Sequence, residues 1–215
     1  NTIVHRTHKS RVLALTLALA MCLSLVPIEA FAASDAVRLT PPGGKGSITV
    51  SGGVQGDAWD TAVDDSGRGL HLFIRTPDSI TVSGNATDVT IHMVGGRSGR
   101  ASLIIKNLTI DNTEFVSLDA PTGELAPQPV ISAECSSVAV TVDGTCNLTG
   151  ASSIAIAGRS DVTAEQLREM PQYGRPAILV RYASSLTVYG SGTLNVTGSD
   201  RAAAIGNAPK VYGAF

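Results

Sequence analysis

The stretch SVAVTVDGTCNLTG, residues 137–150, recurs as SLTVYGSGTLNVTG, residues 185–198. In the second half of each copy, glycine, threonine and asparagine fall at equivalent positions, and in the first half the apolar positions agree. Asn147 is equivalent to Asn195, so stacking of the copies would place one side-chain amide over the other at a corner. Since a repeated supersecondary unit determines the architecture of its chain, this pair predicts stacked β units.

Two architectures are compatible with the pair. In the first copy, VDGT at 142–145 lies between alternating apolar residues, which indicates a hairpin and favours an antiparallel β-sandwich. The second copy has YGSG at 189–192, a looser corner. Short strands with Gly, Asn and Asp corners and a repeat of about 25 residues are more typical of a solenoid. We therefore predict an all-β parallel β-helix, with the antiparallel β-sandwich as the alternative. The predicted inward side chains are Val138, Val140, Val142, Leu148, Leu186, Val188, Leu194 and Val196.

The repeat extends upstream of both copies. The recurring positions are Pro129, Ile131, Ser136, Ser137 and Val140 in one unit and Pro176, Ile178, Ser184, Ser185 and Val188 in the next. A third unit begins at AAIG, 203–206. The insertion 160–175 separates the first two units, and a capping box at Thr163 predicts a short helix over 164–170. Insertions in repeat arrays cluster on one face, which is often the binding face.

Upstream of the repeat, apolar runs predict further strands. They lie at 47–50, 70–75, 79–83, 88–94, 101–105, 107–110 and 115–118. His92 alternates with Ile91 and Met93, so it is expected to point away from the core. Residues 121–129, PTGELAPQP, are predicted to form a loop.

An acidic segment, GDAWDTAVDDSGRG at 56–69, contains the only tryptophan. Clustered aspartates are the ligand type that Ca²⁺ takes, but the D-x-D-x-D-G order with a distal glutamate is missing. We interpret the segment as an acidic turn before the first strand, with Trp59 closing the open end of the core. No metal or other cofactor is expected.

The 215 residues have a formal net charge of −2 and no basic stripe, which argues against nucleic acid as a partner. Basic residues precede an apolar run at 12–26, and AFA at 30–32 is a small-x-small cleavage site. The run is shorter than the about 20 residues of a membrane span. Residues 1–32 are therefore predicted to be a cleaved secretory signal.

The remaining chain divides into two parts. Residues 33–46 contain PPGG and are predicted to be a flexible leader. Residues 47–215 are predicted to be the repeat domain, truncated at its C-terminus and belonging to a longer chain with further domains.

Two cysteines, Cys135 and Cys146, follow the signal. An exported chain can keep a disulfide, and the two lie on either side of a predicted strand. Cys146 is equivalent to Leu194, an inward position, so a small buried thiol is the alternative. Both interpretations remain open.

A family resemblance rests on residues 176–206, with PAILV, SSLTV, GSGTLNVTG and AAAIG in this order. They resemble the right-handed parallel β-helix repeats of secreted and wall-attached proteins of Gram-positive bacteria. Those proteins are described as carbohydrate-binding-domain-containing or adhesin-like, in the pectate-lyase-like superfold. The resemblance, over about residues 79–210, implies a right-handed β-helix at the cell surface or outside the cell. It also implies non-catalytic binding of a polysaccharide or host glycan.

The candidate contacts for such a ligand lie at the end of the insertion and at the corner that follows Ile178 and Val180. They are Tyr173, Arg175, Arg181 and Tyr182. An aromatic ring can pack on a sugar face, and a guanidinium can bridge hydroxyls or bind a carboxylate.

Two other functions remain open. One is a passive stalk that displays other domains, since a fold does not imply a function. The other is a polysaccharide lyase or glycoside hydrolase, and hydrolysis requires a pair of carboxylates. The acidic doublet Asp64–Asp65 lies before the recognisable repeats, and Asp119, Asp143 and Arg181 fall in different repeats. The Asn-Thr-Asp and Gly-His-Gly signatures of polygalacturonases are absent from the sequence, so we expect no enzyme.

Overall fold

The computed structural model describes residues 36–118, 125–157, 160, 163–165, 175–181, 183–199 and 202–207. The predicted signal at 1–32 and most of the predicted helix at 164–170 lie outside the described residues. In the part of the chain that is described, no helix is long and apolar enough to span a membrane.

The described chain is all-β, with a short helix, α1 (Ser153–Ala157), and a 3-10 turn at Gly96–Ser98. Ala164 and Glu165, the described part of the predicted helix, are also helical. The strands are β1 (Val37–Leu39), β2 (Gly46–Ser51), β3 (Trp59–Val63), β4 (Leu70–Ile74), β5 (Ile80–Thr87), β6 (Val89–Met93), β7 (Arg100–Asp111), β8 (Val116–Leu118), β9 (Leu125–Pro127), β10 (Ile131–Ala133), β11 (Ser137–Asp143), β12 (Thr145–Thr149), β13 (Ile178–Val180), β14 (Ser185–Gly190), β15 (Thr193–Thr197) and β16 (Ile205–Gly206).

Two sheets contain most of these strands. The first sheet has the order β1-β2-β5-β7-β11-β14, and its strand β12 pairs with both β7 and β15. The second sheet has the order β16-β13-β10-β6-β4-β3, and β8 and β9 form a separate pair. Strands β5, β7, β11 and β14 pair in parallel, as do β4, β6, β10, β13 and β16. The pairs β1–β2, β2–β5, β3–β4 and β8–β9 are antiparallel.

The register of the parallel strands confirms the alignment of the repeat. Ile178 pairs with Ile131 on one side and with Ile205 on the other, so all three predicted units stack. Asn147 pairs in register with Asn195, and Asn195 Nδ2 donates a hydrogen bond to Asn147 Oδ1 at 2.9 Å. The two asparagines stack as predicted, although they lie within strands rather than at a corner.

The hairpin interpretation of VDGT at 142–145 is wrong. Strands β11 and β12 do not pair with each other, and both pair in parallel with β7. Gly144 alone separates them, with a φ of 74°, so the chain turns a corner here and does not reverse.

The inward side chains of the first copy lie in the core. Val138, Val140, Val142, Cys146 and Leu148 are all buried. In the second copy Leu186, Leu194 and Val196 are partly buried against this core, and Val188 is 40% exposed. Strand β14 pairs only with β11 among the described strands, which explains this difference.

Two predicted strand breaks are absent. Strand β5 continues through Gly84–Asn85, and β7 continues through Lys106, between the predicted strands 101–105 and 107–110. The register between them shifts after Ser83, where Gly84 has a φ of 114° and Asn107 a φ of 45°. A bulge therefore accommodates residues that resemble turn signals in the sequence.

Three strands lie where the sequence predicts none. Strand β1 falls inside the predicted leader at 33–46, β3 inside the acidic segment and β9 inside the predicted loop at 121–129. Trp59 opens β3, is 2% exposed, and donates from Nε1 to the carbonyl of Gly52 at 3.1 Å.

Both described cysteines are free thiols. Cys135 is 7% exposed and Cys146 is fully buried in the core. Burial raises the pKa of each thiol, so both behave as small apolar side chains.

Candidate binding cleft on the second sheet

The outward face of the second sheet contains aromatic and polar side chains. In β4, Leu70, Leu72 and Ile74 are buried in the core, and His71 and Phe73 alternate with them. Phe73 pairs in register with His92 of β6, and His92 pairs with Ser132 of β10. The rings of Phe73 and His92 stack with centroids 4.8 Å apart and planes 16° apart. Parallel pairing therefore brings distant positions into one row.

The segment before β10 lies against this face. Asn112, fully buried, accepts a hydrogen bond from the Val89 amide at 3.1 Å and donates to the carbonyls of Val89 at 2.7 Å and Pro129 at 2.9 Å. The ring of Phe115 lies 5.9 Å from that of His71. These contacts hold β8 and β9 beside the outward row.

A cleft of about 490 Å³ opens between these parts of the chain. Its lining includes Asp64, Asp65, His71, Phe73, His92, Ser117, Gln128, Ser132, Glu134, Leu179, Arg175 and Arg181. The structure thus brings two sequence-predicted contact residues, Arg175 and Arg181, to one cleft. Tyr173 and Tyr182, the other two, lie outside the described residues.

Four side chains in the cleft form a continuous hydrogen-bonded chain. Glu134 Oε1 lies 2.7 Å from His92 Nδ1. His92 Nε2 lies 2.8 Å from His71 Nδ1, and His71 Nε2 lies 3.4 Å from Ser117 Oγ. We call these four residues the cleft relay. They come from β4, β6, β8 and the residue after β10, so only the folded chain assembles them.

The carboxylate of Glu134, at one end of the cleft relay, determines which nitrogens carry the protons. An ionised Glu134 only accepts, so with neutral rings His92 carries its proton on Nδ1 and accepts at Nε2. His71 must then donate from Nδ1, which leaves its Nε2 to accept the Ser117 hydroxyl proton. Burial and the neighbouring His92 lower the pKa of His71 to about 4, so this ring is neutral at pH 7.

Glu134 also lies near a cation. Arg181 Nε is 3.7 Å from Glu134 Oε1 and 3.4 Å from Ser132 Oγ. Burial raises the pKa of Glu134, but the hydrogen bond and charge of His92, the Ser132 hydrogen bond and the charge of Arg181 outweigh it. The net pKa is lowered and the carboxylate is ionised.

Asp64 has a structural role in this geometry. It is 6% exposed, and its carboxylate accepts from the amides of Arg68 and Gly69 at 2.8 Å and from the Ser66 hydroxyl at 2.6 Å. These bonds order the turn between β3 and β4. Across the described ranges, no group of three or more His, Cys, Asp or Glu side chains could hold a metal ion.

Sequence reasoning missed the cleft relay. The available signal was a polar or aromatic residue at outward positions of apolar strands, as at His71 and His92. Glu134 lies 42 residues after His92, so only the strand register shows that they meet.

Neither a protein-family model, nor a curated protein, nor a solved structure matches this chain.

Proposed function

We propose that the protein is a secreted or cell-surface right-handed parallel β-helix that binds carbohydrate in this cleft without cleaving glycosidic bonds. The β-helix is supported by two sets of parallel strands in which consecutive units add one strand to each set. The right hand follows the general preference of parallel crossover connections. Export is supported by the sequence of residues 1–32.

One observation carries the binding proposal: Arg175 and Arg181 line the same concave site. The cleft volume of about 490 Å³ is within the usual range of small-ligand sites, about 300–1,000 Å³. Gln128, Ser132 and Glu134 add polar groups to the lining. Such a mixture suits hydroxyl-rich ligands, because guanidinium and carboxylate groups make strong, directional hydrogen bonds to hydroxyls.

Two of the cleft carboxylates, Asp64 and Glu134, support binding without glycosidic cleavage, because both have other partners. Asp64 is engaged by two backbone amides and a hydroxyl. Glu134 is held by His92 and lies beside Arg181. Glycoside hydrolysis requires one carboxyl group as acid and a second as nucleophile or base, and neither of these two is available for such work.

The test is a binding screen of the purified chain against immobilised pectin, mucin and cellulose, followed by calorimetry on any ligand retained. Arg181→Gln should weaken binding at least about tenfold, because truncating a charged hydrogen-bonding partner typically costs more than 1.4 kcal/mol. Arg97→Gln is the matched control, since Arg97 is exposed in the 3-10 turn and is not part of the cleft lining. Retention on none of the polysaccharides, or equal binding by both variants, would contradict the proposal.

A passive stalk is the second candidate, favoured by the exposed apolar side chains of β14. Val188 and Tyr189 are 40% and 51% exposed, whereas the register partner Val140 is fully buried. An apolar strand edge of this kind suits the addition of further stacked coils. This candidate would be favoured if the protein bound no glycan and if a chain with additional repeats formed a longer stack.

A further inference from the structure

In the cleft relay, a carboxylate, two imidazoles and a hydroxyl follow one another in a hydrogen-bonded chain. Carbohydrate binding does not require this arrangement. We propose that Ser117 is a nucleophile, activated by His71, His92 and Glu134, and that the cleft hydrolyses carboxylic esters with a small acyl group. The proposal rests on the chain of hydrogen bonds, and its test does not require the binding proposal to hold.

The geometry assigns one role to each member. His71 Nε2 faces the Ser117 hydroxyl, so His71 is the general base. His92 lies 2.8 Å from the opposite nitrogen of His71, and Glu134 lies 2.7 Å from His92. Both therefore orient His71 as positioning residues, and the charge of Glu134 stabilises the positive charge that His71 acquires. Nucleophile, base and orienting carboxylate are the parts of a serine hydrolase, here with one additional imidazole.

The contact between Ser117 and His71 is the longest in the chain, at 3.4 Å. Hydrogen bonds between a nucleophile and its base are often loose without substrate and shorten when it binds. Ser117 is 3% exposed as a residue and lies in the cleft lining. The cleft therefore gives the acyl group a route to the hydroxyl.

The chemical steps balance without a cofactor. Ser117 Oγ forms a bond to the ester carbonyl carbon as its proton moves to His71 Nε2. The tetrahedral intermediate then expels the alcohol, which takes that proton from His71. Water, deprotonated by His71, attacks the acyl-serine, and the proton returns to Ser117 as the carboxylic acid leaves.

The neutral state of His71 at pH 7 supports this assignment, since only a neutral imidazole accepts the hydroxyl proton. The groups that act on its charge come from several elements. They are His92 on β6, Asp64 and Asp65 after β3, and Glu134 after β10. The three carboxylates raise the pKa of His71, whereas burial and His92 lower it.

The experiment uses two probes without a sugar: 4-nitrophenyl acetate for turnover and a fluorophosphonate for covalent labelling. We expect hydrolysis above the buffer rate, and a label that peptide mass spectrometry locates on Ser117. Ser117→Ala should remove the label, and both Ser117→Ala and His71→Gln should lower kcat/KM by about 1,000-fold or more. Ser102→Ala is the matched control, because Ser102 is a buried serine hydrogen-bonded to Ser79 outside the cleft.

Glu134→Gln tests the positioning role through the pH profile. Loss of its charge lowers the pKa of His71, so the acid limb of the rate profile should move to lower pH while kcat falls. An unmoved acid limb would show that Glu134 does not act on the charge of His71. The proposal is overturned if the folded wild-type chain shows neither turnover nor label, or if the label lies on another residue. Glycan binding by an inactive chain would leave the binding proposal standing.

Discussion

Asn112 shows how a single buried amide joins parts of the chain that are distant in sequence. Its side chain makes three hydrogen bonds to the backbone of Val89 and Pro129. Asn112→Ala should lower the free energy of unfolding by about 3 kcal/mol, because the amide and carbonyl of Val89 would lose buried partners at about 1–3 kcal/mol each. Asn195→Ala is the control, since its exposed side chain makes one hydrogen bond, to Asn147. Urea unfolding of both variants measures the difference, and equal losses would contradict this role.

The second residue-scale prediction concerns acid stability. The pKa of His71 falls from 6.5 to about 4 on folding, so below about pH 6.5 the unfolded chain binds a proton that the native chain does not. Stability should therefore fall as the pH drops from 6.5 towards 4, by about 2 kcal/mol once partial solvent exposure is discounted. In the His71→Gln variant, the free energy of unfolding should depend less on pH over this interval. Urea midpoints at pH 7, 6, 5 and 4.5 provide the measurement, and an equally steep decline in the variant would exclude His71 as the cause.

At the residue scale the sequence predicted only part of the site. The sequence identifies Arg175 because it ends the insertion and Arg181 because it lies at the corner that follows, and insertions in repeat arrays cluster on one face. His71 and Glu134 lacked such a marker, because a histidine at an outward strand position resembles any exposed polar residue. Their joint role depends on the pairing of β4, β6 and β10, which brings side chains up to 63 positions apart into one hydrogen-bonded chain across neighbouring strands.

At the element scale, two glycines with positive φ test whether the backbone conformation or a contact with a neighbouring strand excludes a larger residue at a turn. Gly144 and Gly67 both have a positive φ, 74° and 70°. A Cβ on Gly144 would overlap the carboxamide of Asn107, whereas a Cβ on Gly67 would meet nothing within 4 Å. Gly67→Ala should cost about 1 kcal/mol for the backbone alone. Gly144→Ala should cost about 3 kcal/mol, because the stacked neighbour must also move. If thermal or urea unfolding shows equal losses of stability for the two variants, the backbone conformation alone accounts for the cost and the contact with Asn107 adds nothing.

The strands that belong to the repeat are predictable from the alignment of its copies. Ile131, Ile178 and Ile205 were aligned from sequence and are hydrogen-bonded neighbours in the second sheet. Gly84 and Asn85 resemble a turn in isolation, and Lys106 separates two predicted strands. They lie inside strands because the bulge forms between two strands, β5 and β7, and neither sequence alone contains that information.

At the scale of the whole molecule, stability should decrease from the middle of the stack towards β14. Among the described strands, β14 pairs only with β11, and a strand with one partner opens more easily than a strand with two. Val140 of β11 is fully buried and its register partner Val188 is 40% exposed. Val140→Ala should cost about 2 kcal/mol, from about 0.8 kcal/mol per buried carbon lost plus the cavity, and Val188→Ala about 0.5 kcal/mol.

Hydrogen exchange provides an independent measurement of the same gradient. The amides of β11, which lies between β7 and β14, should exchange more slowly than those of β14. Urea midpoints of the two valine variants should change in the same order. If β14 were as protected as β11, and Val188→Ala as costly as Val140→Ala, then another chain would have to cover the apolar side chains of β14. Gel filtration would then detect a concentration-dependent oligomer, and Val188→Ala would dissociate it.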